Sequence, residues 1–433
     1  MPKKVLSAVL ILGLVLAGNF SRVSADASDE EITVLKTQVQ ELLKRIEVLE
    51  QGQVKVKEDT AKQVEAVKKS EPTVLMDKAS SKLKIKGRAA FGFYNAENEA
   101  AAYSQGSFEV PDAKIQFAFQ PDEINTVVLR LSLNNGVTSI SSTSPLVDYF
   151  FLQSKDFLPA LKDSPFSLAT RLGKFKLGFG EETWSDNAIE SVLVSNSAGT
   201  TTVLDEGLEL AGKIKLDKIN LKPLGWVVSF TDGNAGVGSD NSQGKAFMGK
   251  LIFSPIDPLY LSASYYDSGR LKTANAEMKV AGLATIPTCA LNWERHAWEI
   301  DARYDFGKGK KWENSPLFSD SKSILRLSYG AFSDHAAAAS ERSGNFGFVE
   351  SIYNINKKVY TAGRVSFVDL DGDTTASLNS VTANKYQRYS LGGGYRLREN
   401  AILKLAYDWN KESGPGISDM DNDLLSLVAA LQF

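Results

Sequence analysis

From Leu83 to the end of the chain, apolar and polar positions alternate with a period of two. Leu83, Ile85, Gly87, Ala89, Phe91 and Phe93 alternate with Lys84, Lys86, Arg88, Ala90, Gly92 and Tyr94. The beat recurs with Lys114 set between Ala113 and Ile115, and with Arg130 set between Leu129 and Leu131. It recurs again over Trp298 to Phe306, Tyr389 to Leu397 and Leu403 to Trp409. Successive side chains of a strand point to opposite faces, so each run predicts a strand with one apolar and one polar face. The last ten residues place Leu425, Leu427, Ala429, Leu431 and Phe433 on one face. Runs of about ten residues suit a tilted strand crossing a bilayer. In lipid a terminal strand must be paired, and the first strand of a closed barrel supplies the partner.

The connections support closure. Short ones fall at Gln120 to Glu123, Asp217-Lys218, Pro255 to Asp257, Asn354 to Lys357 and Arg398 to Asn400. Long ones fall at Asn95 to Ser107, Asn134 to Pro145, Glu181 to Asp205, Asp232 to Gly244, Ser268 to Glu294, Ser333 to Gly344, Asp369 to Lys385 and Lys411 to Asn422. Alternating short turns and long loops, with aromatics at strand ends, are the habit of membrane barrels. The expected fold is all-β, a transmembrane antiparallel barrel of about 16 strands over residues 83–433. Eighteen is the alternative, with Met278 to Ile286 and a segment near Cys289 paired into the sheet. Sixteen strands require Gly307 to Lys322 to be a long turn on the side of the termini.

The first 82 residues read differently. Lys3 and Lys4, the apolar run Val5 to Gly18 and the small residues Val23-Ser24-Ala25 make the three-part pattern of a secretory signal over 1–25. Ile32, Leu35, Val39, Leu42, Ile46 and Leu49 then recur at steps of three and four. That predicts a short N-terminal coiled-coil helix, a stalk over 26–69 stabilised by self-association. Glu71-Pro72 breaks the helix, so 70–82 reads as a linker. β-Branched a and Leu d positions favour two strands on the heptad rule. The stalk also allows a second role, a structural tether or adhesin with cell-wall contact.

Composition narrows the chemistry. The 433 residues are 43% hydrophobic, with 49 basic against 52 acidic side chains. No apolar run of eighteen follows the leader, which argues against transmembrane helices but not against strands. Mild acidity gives no case for nucleic acid. One cysteine, Cys289, and two histidines, His296 and His335, give no His/Cys metal set and no nucleophile–base pair. The reading is not an enzyme and calls for no cofactor.

Arg171 to Glu182 reads R-L-G-K-F-K-L-G-F-G-E-E. Through Arg171, Gly173, Lys174, Phe175, Lys176, Phe179, Gly180 and Glu182, this run resembles the phosphate-selective porin O and P family of bacterial outer-membrane channels. Gly178 stands where that family commonly has Pro. The C-terminal Phe433 resembles the assembly signal of outer-membrane barrels. The resemblance implies an outer-membrane homotrimer in contact with lipid, its stalk in the periplasm. It also implies a passive porin for small hydrophilic solutes or ions, narrowed by the third external loop. Phosphate selectivity does not carry over, because the loop 181–205 holds no Arg or Lys.

By that resemblance Glu181, Glu182, Asp186 and Glu190 are the expected constriction-loop residues. The facing wall is expected to hold Lys84, Lys86, Arg88, Lys114, Arg130, Lys250, Arg326, Arg364, Arg388, Arg396 and Lys404, with Lys213 and Lys215 beside them. An acidic loop opposed to a basic wall would set a transverse field, and charged rings tune ion selectivity. The basic excess on the polar face suggests mild anion preference, and the acidic loop pulls the other way.

Overall fold

A lysine or arginine facing lipid at mid-depth costs about 2–4 kcal/mol, so strands that alternate charged and apolar residues have one sensible arrangement, charges inward. The computed structural model describes residues 82–97, 103–133, 147–158, 165–185, 187–216, 221–233, 244–272, 275–285, 292–307, 321–336, 341–372 and 374–433. The expected leader, stalk and linker at 1–81 lie outside the described residues.

In chain order the strands are β1 Leu83–Ala96, β2 Ser107–Phe119, β3 Asn125–Ser132, β4 Val147–Ser154, β5 Phe166–Lys176, β6 Thr201–Thr202, β7 Leu204–Leu216, β8 Leu221–Thr231, β9 Ala246–Ile256, β10 Leu259–Asp267 and β11 Asn275–Val280. They continue as β12 Leu283–Thr285, β13 Trp293–Phe306, β14 Ser323–Ala336, β15 Arg342–Asn354, β16 Val359–Leu370, β17 Ala376–Leu378, β18 Val381–Ala383, β19 Lys385–Arg398, β20 Ala401–Ser413 and β21 Leu424–Gln432. Among the described residues, sixteen close into one antiparallel barrel: β1 to β5, β7 to β10, β13 to β16 and β19 to β21. The last strand meets the first, running from Arg88↔Gln432 to Ala96↔Leu424.

Sixteen is therefore the count, and the eighteen-strand alternative is corrected. Met278 and its neighbours do form strands, but β11 and β12 join β6 in a separate three-stranded sheet. Two short strands there pair with a loop strand, so the period of two is obeyed without adding to the wall. The segment near Cys289 lies outside the described residues. Phe306 pairs with Ser323, so the connection 307–322 does join neighbouring strands at the end that holds Leu83 and Phe433.

The burial pattern is the inverse of a water-soluble protein. On β13, Arg295, Glu299, Asp301 and Arg303 are buried while Trp298, Ile300 and Tyr304 are exposed. The same holds for Arg364 against Val365, Lys404 against Leu405 and Ser426 against Leu427. Each large outward side chain left in water would forgo about 1.5–3 kcal/mol. Such a surface is stable against hydrocarbon.

The inside is not empty. The connection after β5 turns inward and packs Leu177, Phe179 and Val203 with Met278, Val280 and Leu283 of the β10–β13 connection. Leu378 of the β17–β18 hairpin joins them, against the inward wall residues Met248, Tyr266, Phe332, Phe346 and Val368. Further along the same connection, Ile189, Val192 and Leu193 pack on Ile352, Tyr360, Ile402 and Val428. Backbone bonds stitch the three connections together: Ala281 to Thr200 at 2.9 Å and Asn379 to Ala281 at 2.8 Å.

Candidate functional site: the lumen and its inner loop

The sequence that carries the inner loop is Leu177-Gly178-Phe179-Gly180-Glu181-Glu182. Its apolar members anchor in the core just described, and its glycine permits the turn. Gly180 has φ +66°, and a Cβ there would run into the Glu299 carboxylate. A short 3-10 turn over Glu182–Ser185 follows. The loop then lies along the inner wall, tied down by inward side chains of β9, β10, β16, β19 and β20.

Glu181 accepts from Lys250 Nζ at 2.6 Å, from the Tyr260 hydroxyl and from Ser262 at 3.3 Å. Lys250 also donates to the Gly180 carbonyl at 2.7 Å. Glu182 accepts the Ser197 amide at 2.7 Å and Arg364 Nη1 at 3.0 Å. Arg364 reaches Glu350 at 3.5 Å and donates to the Ser195 carbonyl, and Glu350 is shared with Arg326 at 2.8 Å. Arg388 donates to the Asn196 carbonyl at 2.9 Å, Tyr360 to the Val192 carbonyl at 2.8 Å, and Lys404 to Ser191. Five of the predicted wall cations, Lys250, Arg326, Arg364, Arg388 and Lys404, thus stand behind the loop.

This arrangement changes the expected field. Glu181 and Glu182 are buried on the wall side of the loop, in contact with their cations, rather than facing a basic wall across water. Asp186 lies outside the described residues. Glu190 is half-buried, accepts from Asn187 Nδ2 and borders the open lumen.

The open space lies on the β1–β5 side, a cavity of about 1110 Å³ bordered by Lys84, Lys86, Arg88, Lys114, Arg130, Arg171 and Lys176. A smaller space of about 310 Å³ lies between that wall and the loop. The loop borders it with Ala188, Ser191, Val194, Asn196 and Thr202, all uncharged. The wall borders it with Arg88, Lys114 and Arg130, and with two acids that sequence reasoning missed, Asp112 and Asp148. Arg88 meets Asp112 at 2.6 Å, and Lys114 and Arg130 share Asp148 at 2.9 and 2.6 Å. Arg130 stacks 3.4 Å above the Tyr149 ring. The alternation Asp148, Phe150, Leu152 against Tyr149, Phe151 marks a strand, but a register shift beside Arg130/Leu131 blurs it. Arg396 stands apart from this group, donating to Asn354 at 2.9 Å and stacked 4.9 Å over Tyr360. Lys213 and Lys215 are exposed near the terminal end. His296 and His335 meet on the outer rim with ring centroids 5.7 Å apart, and Asp267, Glu294 and Glu341 surround them.

A closed sixteen-stranded barrel, apolar outside and charged inside, with a loop folded against its inner wall, is an architecture found among outer-membrane porins. Solved structures agree on the fold. The outer-membrane channel DcaP of Acinetobacter baumannii is 12% identical, with a TM-score of 0.52 over 81% of this chain and 97% of that one. The anion-selective porin of Comamonas acidovorans is 11% identical, with a TM-score of 0.50 over 81% and 98%. OmpF of Salmonella typhi, in complex with daunomycin, is 14% identical, with a TM-score of 0.50 over 81% and 97%. No protein-family model matches the chain, and no curated protein matches its sequence.

Proposed function

We propose that the chain is an outer-membrane porin through which small hydrophilic solutes, anions in preference to cations, diffuse passively. The inner loop 177–203 narrows the passage, and the stalk, if helical as its heptads predict, lies in the periplasm. One observation carries the anion preference. The passage is bordered by Arg88, Lys114, Arg130 and Lys176 on the wall and by neutral residues on the loop. Asp112 and Asp148 offset part of that charge and leave an excess of cations. Glu181 and Glu182 are neutralised behind the loop and do not oppose it.

Phosphate specificity is not part of the proposal. In the run that resembles the phosphate-selective family, Arg171 is engaged by Glu209 at 2.6 Å and Lys174 by Glu206 at 3.9 Å. The tether role has no observation among the described residues in its favour.

Self-association into three protomers is supported by the outer surface as well as by the family resemblance. Tyrosine and tryptophan favour the membrane–water boundary. Outward Trp298, Tyr304, Tyr329, Tyr353, Tyr389, Tyr395 and Trp409 mark β13 to β20. The outward aromatics of β1 to β5 are phenylalanines: Phe91, Phe108, Phe119, Phe150 and Phe166. A sector without boundary-seeking residues suits burial against a neighbour.

Planar-bilayer recording tests the function. Purified protein should open steady, ohmic pores, and a salt gradient should give a reversal potential of anion-selective sign. Folded protein that stays silent in bilayers would remove the channel reading.

A further inference from the structure

At the barrel end remote from the termini, the β10–β13 connection is fixed to the wall beside two carboxylates. Asp205, at the start of β7, points inward and is buried. Its oxygens accept the amides of Glu206 at 2.8 Å and Gly233 at 2.7 Å. Glu277, on β11, donates its own amide to the carbonyl of the same Gly233 at 3.0 Å, and its carboxylate accepts the Leu204 amide. The two acids therefore hang from adjacent backbone positions, 204 and 205, and share Gly233.

A third oxygen points to a ligand. The Tyr266 hydroxyl, on β10, is fully buried and has no hydrogen-bond partner. Asp205 and Glu277 are the strongest charges acting on it. A buried phenol beside two carboxylates would ordinarily donate to one of them. Here it does not. Lys174, Lys279, Asp232, Asp267 and Arg295 are the other charges nearby, and Lys174 is drawn toward Glu206 at 3.9 Å.

We propose that a hard divalent cation, Ca²⁺ by its all-oxygen donor set, binds between Asp205, Glu277 and Tyr266 and clamps β11 to the barrel wall. Carboxylate, hydroxyl and carbonyl oxygens with completing waters are what Ca²⁺ takes. Among the described residues no group of three or more His, Cys, Asp or Glu side chains is placed to hold a metal ion, so the site rests on two carboxylates and a phenol. Two carboxylates place the affinity at the weak end, a Kd on the order of 10⁻⁴–10⁻³ M, as in extracellular calcium modules. Ionising both acids in so dry a place is unfavourable without a cation, so binding should weaken as pH falls and Glu277 takes up a proton. The inference does not depend on the channel reading.

The test uses the folded full-length protein in detergent, with Ca²⁺ alone as the probe. Amide exchange over 275–285 is followed in millimolar Ca²⁺ and in a chelator, at a pH about one unit above 7 so that Glu277 is ionised. At ten times Kd the closed state should gain about tenfold in protection, and calorimetric titration of the wild type should show matching binding. Glu277→Gln should lose the Ca²⁺ response while keeping the heat-modifiable gel mobility of a folded barrel. If that variant does not fold, the wild-type titration decides alone. Exchange that follows pH but ignores Ca²⁺ would overturn the proposal and assign the place to a proton. A response that persists in Glu277→Gln would overturn it equally.

Discussion

The ring of Phe433, the last residue, lies over the Cα of Gly87, on the outer face of the first strand. Their backbones exchange two hydrogen bonds, 3.0 Å from Gly87 N to Phe433 O and 2.9 Å in return. A Cβ at position 87 would fall within the ring. The seam of the barrel thus ends on a glycine that makes room and an aromatic that covers it. Gly87→Val should displace the ring and cost the seam roughly the worth of one cross-strand contact, about 0.2–1 kcal/mol. Urea unfolding of the refolded barrel, followed by gel mobility, measures it. Wild-type stability in that variant would mean that the ring contributes nothing to closure.

The loop anchors give a second prediction. Lys250→Met removes the cation from Glu181, whose carboxylate stays buried with only hydroxyl donors. Breaking one side of a buried pair costs about 3–5 kcal/mol, whereas replacing both sides with apolar residues is often neutral. The single variant should release the loop from β9 and β10 and change single-channel conductance. The double variant Lys250→Met/Glu181→Leu should return conductance toward wild type. Equal conductance in the single variant and wild type would show that the loop is held without this pair.

Glu277 makes one connection sensitive to pH. Burial and the neighbouring Asp205 push its carboxyl up to about 7 from the ordinary 4.5. The folded state then binds the proton more tightly than the unfolded one. In the absence of divalent cations, its contribution is fully present below the ordinary carboxylate value and is lost as pH rises through about 7. The span corresponds to about 3 kcal/mol at most. Amide exchange over 275–285 in chelator should accelerate as pH rises through neutrality, beyond the intrinsic acceleration seen in Glu277→Gln. Identical pH profiles for the two proteins would remove Glu277 as the cause.

The barrel was legible because a wall strand that faces lipid and water must alternate, and Leu83 to Tyr94 or Leu403 to Asn410 do so without a break. The strand number followed from pairing each long connection with a short one. The inner loop's electrostatics were not legible. Glu181 and Glu182 look like free carboxylates in sequence, because their partners Lys250 and Arg364 lie 69 and 182 positions away. Which cations face water and which hold the loop depends on where the loop lies, and no local pattern encodes that. Asp112 and Asp148 were hidden by irregular registers between Ala90 and Gly92 and beside Arg130. The β11–β12 sheet shows the remaining ambiguity, since a strand of the wall and a strand of a loop share one period.

The last prediction concerns sign rather than size. Asp148 holds both Lys114 and Arg130, so the trio carries one net positive charge beside the smaller space. Asp148→Asn keeps the shape, leaves both cations in place and adds one unit of positive charge to the passage. Lys114→Gln subtracts one. A unit charge about 4 Å from a permeating ion is worth about 1 kcal/mol in water, roughly fivefold for each ion and opposite in sign for the two, so the anion-to-cation permeability ratio changes by up to about 25-fold. The two variants should therefore shift the reversal potential in a salt gradient in opposite directions, Asp148→Asn toward anions and Lys114→Gln toward cations. Both shifts should shrink as salt rises, because screening shortens to a few ångströms near molar concentration. Ions that pass elsewhere in the lumen would leave both potentials at the wild-type value, and the smaller space between loop and wall would then not be the selective part of the channel.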